Sequence, residues 1–152
     1  MVFIQTFITL LLKKYNIIKL KGDNMVQCKM VHEMIRVYDL ERSLKFYDDA
    51  LGMKESRRID KPEGKFTLVY LKDGESDFEL ELTYNYDPDK PYDIGTGYGH
   101  IAVYVDDLEL ARKEHKEAGY TVGPFKGLTE GVKEYYFLTD PDGYQIEVMQ
   151  RK

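Results

Sequence analysis

The sequence predicts an α+β fold made of two tandem βαβββ modules, and three observations carry that prediction. HEMIRVYDLERS, beginning at His32, is echoed by HIAVYVDDLELA, beginning at His100; an Asp-Leu pair falls seven and eight residues after each His. FELEL closes the first half and YQIEV the second, which sets Glu81 opposite Glu147 and Glu79 opposite Gln145. Between these landmarks, period-two and helical apolar spacings follow one another in the same order in both halves. The expected organisation is one domain over residues 29–152, with module one at 29–85 and module two at 98–152.

Residues 29–37 read as the first strand, with His32, Met34 and Arg36 alternating onto one face. Asp39 suits an N-cap. Leu40, Leu44, Tyr47 and Leu51 then recur at spacings of four, three and four, an apolar helix face closed by Gly52. Residues 53–59 read as a second strand and Phe66–Leu71 as a third. The third turns at Asp73-Gly74 into Phe78–Thr83, where Phe78, Leu80 and Leu82 take one face and Glu79 and Glu81 the other. A connector rich in Pro and Asp and a Gly-rich approach, Gly95, Gly97 and Gly99, lead to His100. Strand 100–105 follows, then an N-cap at Asp106 or Asp107. Leu108, Ala111, His115 and Ala118 mark a helix face ending at Gly119. His115 has no counterpart in module one and reads as a packed helix histidine. Tyr120–Val122, Glu134–Thr139, the turn Asp140-Pro141-Asp142-Gly143 and Tyr144–Met149 complete the module.

Residues 1–24 do not fit the repeat. VFIQTFITLLL is too short to span a bilayer and lacks the basic start and small-residue cleavage site of a secretory signal. An amphipathic anchor is one reading. We favour translation from Met25, because the preceding Lys-Gly-Asp-Asn can be encoded by AAA GGA GAT AAT, which contains a purine-rich GGAG at ribosome-binding distance.

Composition bounds the function. The chain has 152 residues, 43% hydrophobic and 32% charged, enough for one domain with a core. A net charge of −5 and no basic cluster longer than two residues argue against nucleic acid as a partner. The single Cys28 excludes an internal disulfide, suits a reducing cytoplasm and reads as a bystander. Nothing in the repeat suggests a membrane partner.

The candidate site follows from the duplication. Glu81 lies 49 positions after His32, and Glu147 lies 47 after His100. Each module therefore offers a His on its first strand and a Glu on its last. Two His and two Glu at equivalent places are read most economically as a four-ligand metal site. Imidazole and carboxylate ligands without a thiolate leave Ni²⁺, Co²⁺ and Zn²⁺ open.

Paired modules of this order resemble the vicinal oxygen chelate superfamily, and within it the short bacterial glyoxalase I (lactoylglutathione lyase) family. HEMIRVYDLERSLKFYDDALGM, ELTYN, GTGYGHIAV and DPDGYQIEV carry the resemblance, which spans nearly everything from His32 to Glu147. It implies a glyoxalase-like fold, metal ligands at His32, Glu81, His100 and Glu147, and Ni²⁺ or Co²⁺ in preference to Zn²⁺. It implies that Arg36, Asn85 and Lys126, in the loop PFKG, hold the thiol part of the substrate, and that Glu147 is the catalytic base. The residues alone do not separate Glu147 from Glu81 in that role. The implied reaction isomerises the hemithioacetal of methylglyoxal and glutathione, or a similar thiol, to S-lactoylglutathione, which detoxifies methylglyoxal. A proton next to a carbonyl must leave carbon, a divalent cation stabilises the enediolate, and a carboxylate moves the proton. Arg36 and Lys126 would pair with the carboxylates of a glutathione-like tripeptide and Asn85 would bond its amides. The resemblance also implies a homodimer whose sites are shared between chains. Three alternatives remain: an acyl-CoA epimerase of the same fold, a ring-cleaving Fe²⁺ dioxygenase, and a non-enzymatic module that sequesters a drug. The filled ELTYN segment and four ligand positions argue against each.

Overall fold

The strands of the two modules assemble in the same order. The computed structural model describes residues 28–152, so the readings made for residues 1–24 lie outside the described residues. Module one contains β1 (His32–Arg36), α1 (Leu40–Leu51), β2 (Lys54–Lys61), a 3₁₀ turn at Pro62–Gly64, β3 (Phe66–Lys72) and β4 (Glu79–Asn85). Module two contains β5 (Ile101–Val105), α2 (Leu108–Glu117), β6 (Thr121–Val122), β7 (Tyr135–Thr139) and β8 (Gln145–Gln150). The sheets run β1-β4-β3-β2 and β5-β8-β7-β6. In each, the first strand pairs in parallel with the last, and the other pairings are antiparallel.

Local chemistry explains the helices. The Asp39 carboxylate accepts from the Arg42 N–H at 3.0 Å, and Asp107 accepts from Leu110 N–H at 2.9 Å, so each helix starts on a side-chain cap. Between the two candidates for the second cap, Asp107 is the residue used. Gly52 ends α1 at φ 65°, a left-handed value that a residue with a Cβ adopts only under strain. The turn before β4 is held by Asp73, whose carboxylate accepts from the N–H groups of Glu75 and Ser76, both at 2.9 Å.

Three expectations need correction. Phe78 lies before β4, outside the ladder, and is 37% exposed, so it does not continue the core face of Leu80 and Leu82. The buried side of α1 is Leu40, Ser43, Phe46 and Tyr47, with Leu44 and Leu51 only partly buried. The face is thus rotated toward Ser43 and Phe46, because α1 must meet module two as well as its own sheet. The second strand of module two shrinks to two residues, since Gly123 and Pro124 end the ladder there.

One apolar cluster serves both modules: Ile35, Val69 and Leu82 of the first sheet and Leu138, Ile146 and Val148 of the second belong to it. Truncating a fully buried side chain such as Leu82 to Ala would cost about 2–5 kcal/mol. Polar ties cross between the modules as well. The Tyr47 hydroxyl donates to Asp140 Oδ2 at 3.0 Å, while Asp140 Oδ1 accepts from the N–H groups of Asp142 at 2.9 Å and Tyr144 at 2.8 Å. Asp142 accepts from Tyr38 N–H at 3.2 Å and from Ser43 Oγ at 3.3 Å. Burial raises the Asp140 carboxyl above the usual aspartate range and outweighs these donors. Tyr47 is pushed well up by its own burial, with the neighbouring Asp140 adding to it.

His115 is the packed histidine its helix position predicted. It is buried on α2, with Nε2 at 2.8 Å from the Ala50 carbonyl and Nδ1 at 2.8 Å from the Tyr136 hydroxyl. A carbonyl only accepts, so Nε2 carries the proton and Nδ1 accepts from Tyr136.

Candidate functional site

The parallel pairing of first and last strands brings His and Glu together in each half. Met34 faces Glu81 across the β1–β4 ladder, and Ala102 faces Glu147 across β5–β8. In both cases the His stands two residues before the partner of the Glu. Strand alternation then puts His and Glu on one sheet face, away from the core carried by Ile35 and Leu82. His32 Nε2 is 3.3 Å from Glu81 Oε2, and His100 Nε2 is 3.2 Å from Glu147 Oε2. The imidazoles are 37% and 42% exposed and the carboxylates 10% and 16%, so both pairs are reachable from solvent with the acid set deeper.

These separations fit metal ligands. Two donors held about 2.1 Å from one ion, at octahedral or tetrahedral angles, stand about 3.0–3.4 Å apart. Each pair is therefore spaced as half of a coordination shell. Among the described residues, no three His, Cys, Asp or Glu side chains converge in a way that could hold a metal. The structure brings His32 to Glu81 and His100 to Glu147, and it does not bring the two pairs to each other.

The surroundings fix both imidazole rings. His32 meets Tyr70 edge-on at 5.7 Å between centroids, and His100 meets Phe137 at 5.5 Å. The Gly-rich approach to His100 is pinned by Tyr98, whose hydroxyl donates to the Gln145 carbonyl at 3.2 Å and whose ring packs on Tyr144 at 5.0 Å. Burial pushes the Tyr98 phenol up to about 12, so it remains a donor at neutral pH. On module one, Arg57 makes a two-point ion pair with Glu79 at 3.2 and 2.9 Å and lies 3.2 Å above the Tyr70 ring.

The other predicted residues divide between the modules. Arg36 is exposed on β1, on the same face as His32 and across from Thr83. Asn85 ends β4 and donates from Nδ2 to the Tyr92 hydroxyl at 2.8 Å. Lys126 belongs to module two: its N–H donates to the Tyr135 carbonyl at 2.8 Å and its Nζ lies 5.1 Å above Phe137, the ring that also meets His100. Its loop needs Gly127, because a Cβ there would stand 2.1 Å from the Val132 carbonyl oxygen. Sequence reasoning missed Tyr70, Phe137 and Thr83 around the carboxylates. Strand alternation could have marked Thr83, two residues after Glu81 on the same face; only the cross-strand register of each hairpin could have marked Tyr70 and Phe137, and that register depends on turns whose geometry composition does not settle.

Comparison with known proteins gives consistent findings. The family model described as Glyoxalase/Bleomycin resistance protein/Dioxygenase superfamily matches residues 29–148. The chain is 47% identical over 130 residues to the lactoylglutathione lyase of Haemophilus influenzae, covering 82% of this chain and 93% of that one. It is 42% identical over 130 residues to the Escherichia coli O157:H7 lactoylglutathione lyase, with the same two coverages. Among solved structures, the trypanothione-dependent glyoxalase I of Leishmania major is similar with a TM-score of 0.69 and 41% identity, over 82% of this chain and 87% of that one.

Proposed function

This chain belongs to the glyoxalase/bleomycin resistance protein/dioxygenase superfamily, and from that premise we propose that its paired His–Glu strands carry out glyoxalase I chemistry. It is a metal-dependent lactoylglutathione lyase that converts the hemithioacetal of methylglyoxal and glutathione to S-lactoylglutathione, and so removes methylglyoxal. The single observation that carries the site assignment is the matched spacing of His32 with Glu81 and His100 with Glu147, at the same register in both modules.

These four residues hold the metal. Because each module supplies only two ligands, the complete site forms between two copies of the chain, His32 and Glu81 of one copy meeting the second module of the other. A bound divalent cation supplies Lewis-acid stabilisation for negative charge developing on the substrate's two neighbouring oxygens. Ni²⁺ or Co²⁺ is favoured over Zn²⁺, in keeping with the resemblance to the short bacterial enzymes.

The chain's own residues do the rest. Glu147 takes the proton from the carbon bearing sulfur and returns it to the adjacent carbon. Its only hydrogen-bonding or ionic contact among the described residues is His100, which supports that assignment over Glu81. Arg36 and Lys126 bind the carboxylates of the thiol, and Asn85 bonds its amides. The Leishmania major relative depends on trypanothione, so glutathione and other thiols need direct comparison. No helix among the described residues is long and apolar enough to cross a membrane. The exposed, unpaired Cys28 suits a cytoplasmic location.

The test is thioester formation from methylglyoxal and thiol, followed by ultraviolet absorbance. Chelator-treated protein should be inactive, and Ni²⁺ or Co²⁺ should restore more activity than Zn²⁺. Activity that survives complete metal removal would sink the site assignment; best recovery with Zn²⁺ would overturn the metal preference alone.

A further inference from the structure

The duplication contains its own control, because the two carboxylates hold equivalent register positions in settings that differ in hydroxyl groups. On module one, Tyr70 lies directly across from Glu81 in the β3–β4 ladder. On module two, Phe137 lies directly across from Glu147 in the β7–β8 ladder. Each ring packs edge-on against the ligand imidazole of its own module. Two residues after Glu81 stands Thr83, whose Oγ1 donates to Glu81 Oε1 at 2.9 Å. Two residues after Glu147 stands Met149, which has no proton to donate. The Tyr70 phenol, directly across the ladder from Glu81, is raised above its ordinary value by burial and by the neighbouring Glu81 carboxylate. Arg57, stacked 3.2 Å over the Tyr70 ring and tied to Glu79, keeps that ring from swinging away. Glu81 thus has Thr83 and His32 within 3.3 Å and Tyr70 across the ladder, whereas among the described residues Glu147 has His100 alone.

We propose that Tyr70, seconded by Thr83, is a positioning residue that pins Glu81 as a permanent ligand, and that Phe137 and Met149 leave Glu147 free to carry the proton. The inference rests on the four-ligand reading above. A carboxylate with a hydroxyl fastened to Oε1 and a phenol facing it has few orientations left, so Oε2 stays turned toward the metal position and cannot swing toward a substrate carbon. A carboxylate on a phenyl floor can rotate about its own bonds and still return to the metal.

Two single-atom exchanges test this. Tyr70→Phe removes only the hydroxyl, and Phe137→Tyr adds one at the equivalent place. The first readout is Ni²⁺ affinity, measured on metal-free protein by competition with a chromophoric chelator. Tyr70→Phe should weaken Ni²⁺ binding roughly tenfold, as loss of an outer-sphere partner does, while Phe137→Tyr should not weaken it. The second readout is turnover. Phe137→Tyr should lower kcat with KM unchanged, because Glu147 becomes tied. In a Glu147→Gln background, adding Tyr70→Phe should raise the residual kcat, because Glu81 is released. Wild-type Ni²⁺ affinity in Tyr70→Phe, together with no gain over Glu147→Gln alone and no loss in Phe137→Tyr, would overturn the proposal. His32→Ala and Glu81→Gln serve as controls in the same competition. If both bind Ni²⁺ as wild type does, the four-ligand reading itself fails and this inference falls with it; if they lose Ni²⁺ while Tyr70→Phe does not, only the role of Tyr70 is rejected.

Discussion

At the outer edge of its sheet, module one keeps a full strand where module two keeps a stub. β2 runs eight residues, KESRRIDK, almost entirely exposed, and its charges blunt a free edge against wrong pairing. β6 stops after two residues, and the chain becomes a loop that returns to the sheet only through the isolated bridge between Lys126 and Tyr135. That loop is moored from below, since Arg112 Nε donates to the Gly123 carbonyl at 2.9 Å and the Arg112 guanidinium lies 4.7 Å over Phe125. The inner strands, by contrast, have the same order and the same His–Glu spacing in both halves. The strands that carry the four proposed ligands share one geometry. The edge strands differ, one carrying a clamp for Glu79 and the other leading to a cation over Phe137.

If the inner strands are equivalent, breaking either should have the same large effect. His32→Ala and His100→Ala should each be nearly inactive as homodimers. Unfolded together and refolded as a mixture, they should regain activity in roughly a quarter of sites if the sites are shared between copies. An inactive mixture, with mixed dimers confirmed by mass, would show that each site is built within one chain. The next effect separates the two carboxylates. Glu147→Gln should cut turnover by at least roughly 10² with metal partly retained, and unchanged turnover in a metal-loaded variant would shift the base to Glu81.

Smaller effects belong to the edges. Gly127→Ala forces the Val132 carbonyl away and displaces Lys126. KM for the hemithioacetal should rise roughly tenfold with kcat little changed; an unaltered KM would remove Lys126 from substrate binding. The tie between modules gives a pH signature. The folded state favours protonated Asp140, so this group's contribution to stability is present below the ordinary aspartate range and is lost as pH rises through its raised value. The Tm of Asp140→Asn minus that of wild type should therefore increase as pH rises above the ordinary aspartate range; a constant difference would mean that folding does not raise the Asp140 carboxyl. The smallest expected effect is none: a chain beginning at Met25 should remain soluble and active, and precipitation or loss of the dimer would show that Val2–Leu12 covers an apolar surface.

The inner framework was legible because each signal is local or repeated. Asp39, Gly52 and the alternation around Glu81 dictate caps and faces from neighbouring residues. The repeat from His32 to Glu81 and from His100 to Glu147 then located the pairs. Phe78 misled because alternation continues one residue past the point where the ladder begins. The rotation of α1 toward Ser43 and Phe46 was not legible, since it depends on Asp142 and Tyr120 arriving from the other module. The Tyr70 hydroxyl beside Glu81 was hidden for a different reason: it belongs to the same module but reaches Glu81 only through register across a hairpin.

In both modules the strand made first lies beside the strand made last. A chain leaving the ribosome presents His32 well before Glu81, which follows 49 positions later, and closing that loop in parallel register completes the first sheet. The His and Glu of each half therefore become neighbours only after the helix and hairpin between them have been made and folded back. The proposed ligand pairs are thus products of folding: an unfolded chain keeps the two side chains of each pair apart, so on the four-ligand assignment metal binding and folding of each half reinforce one another.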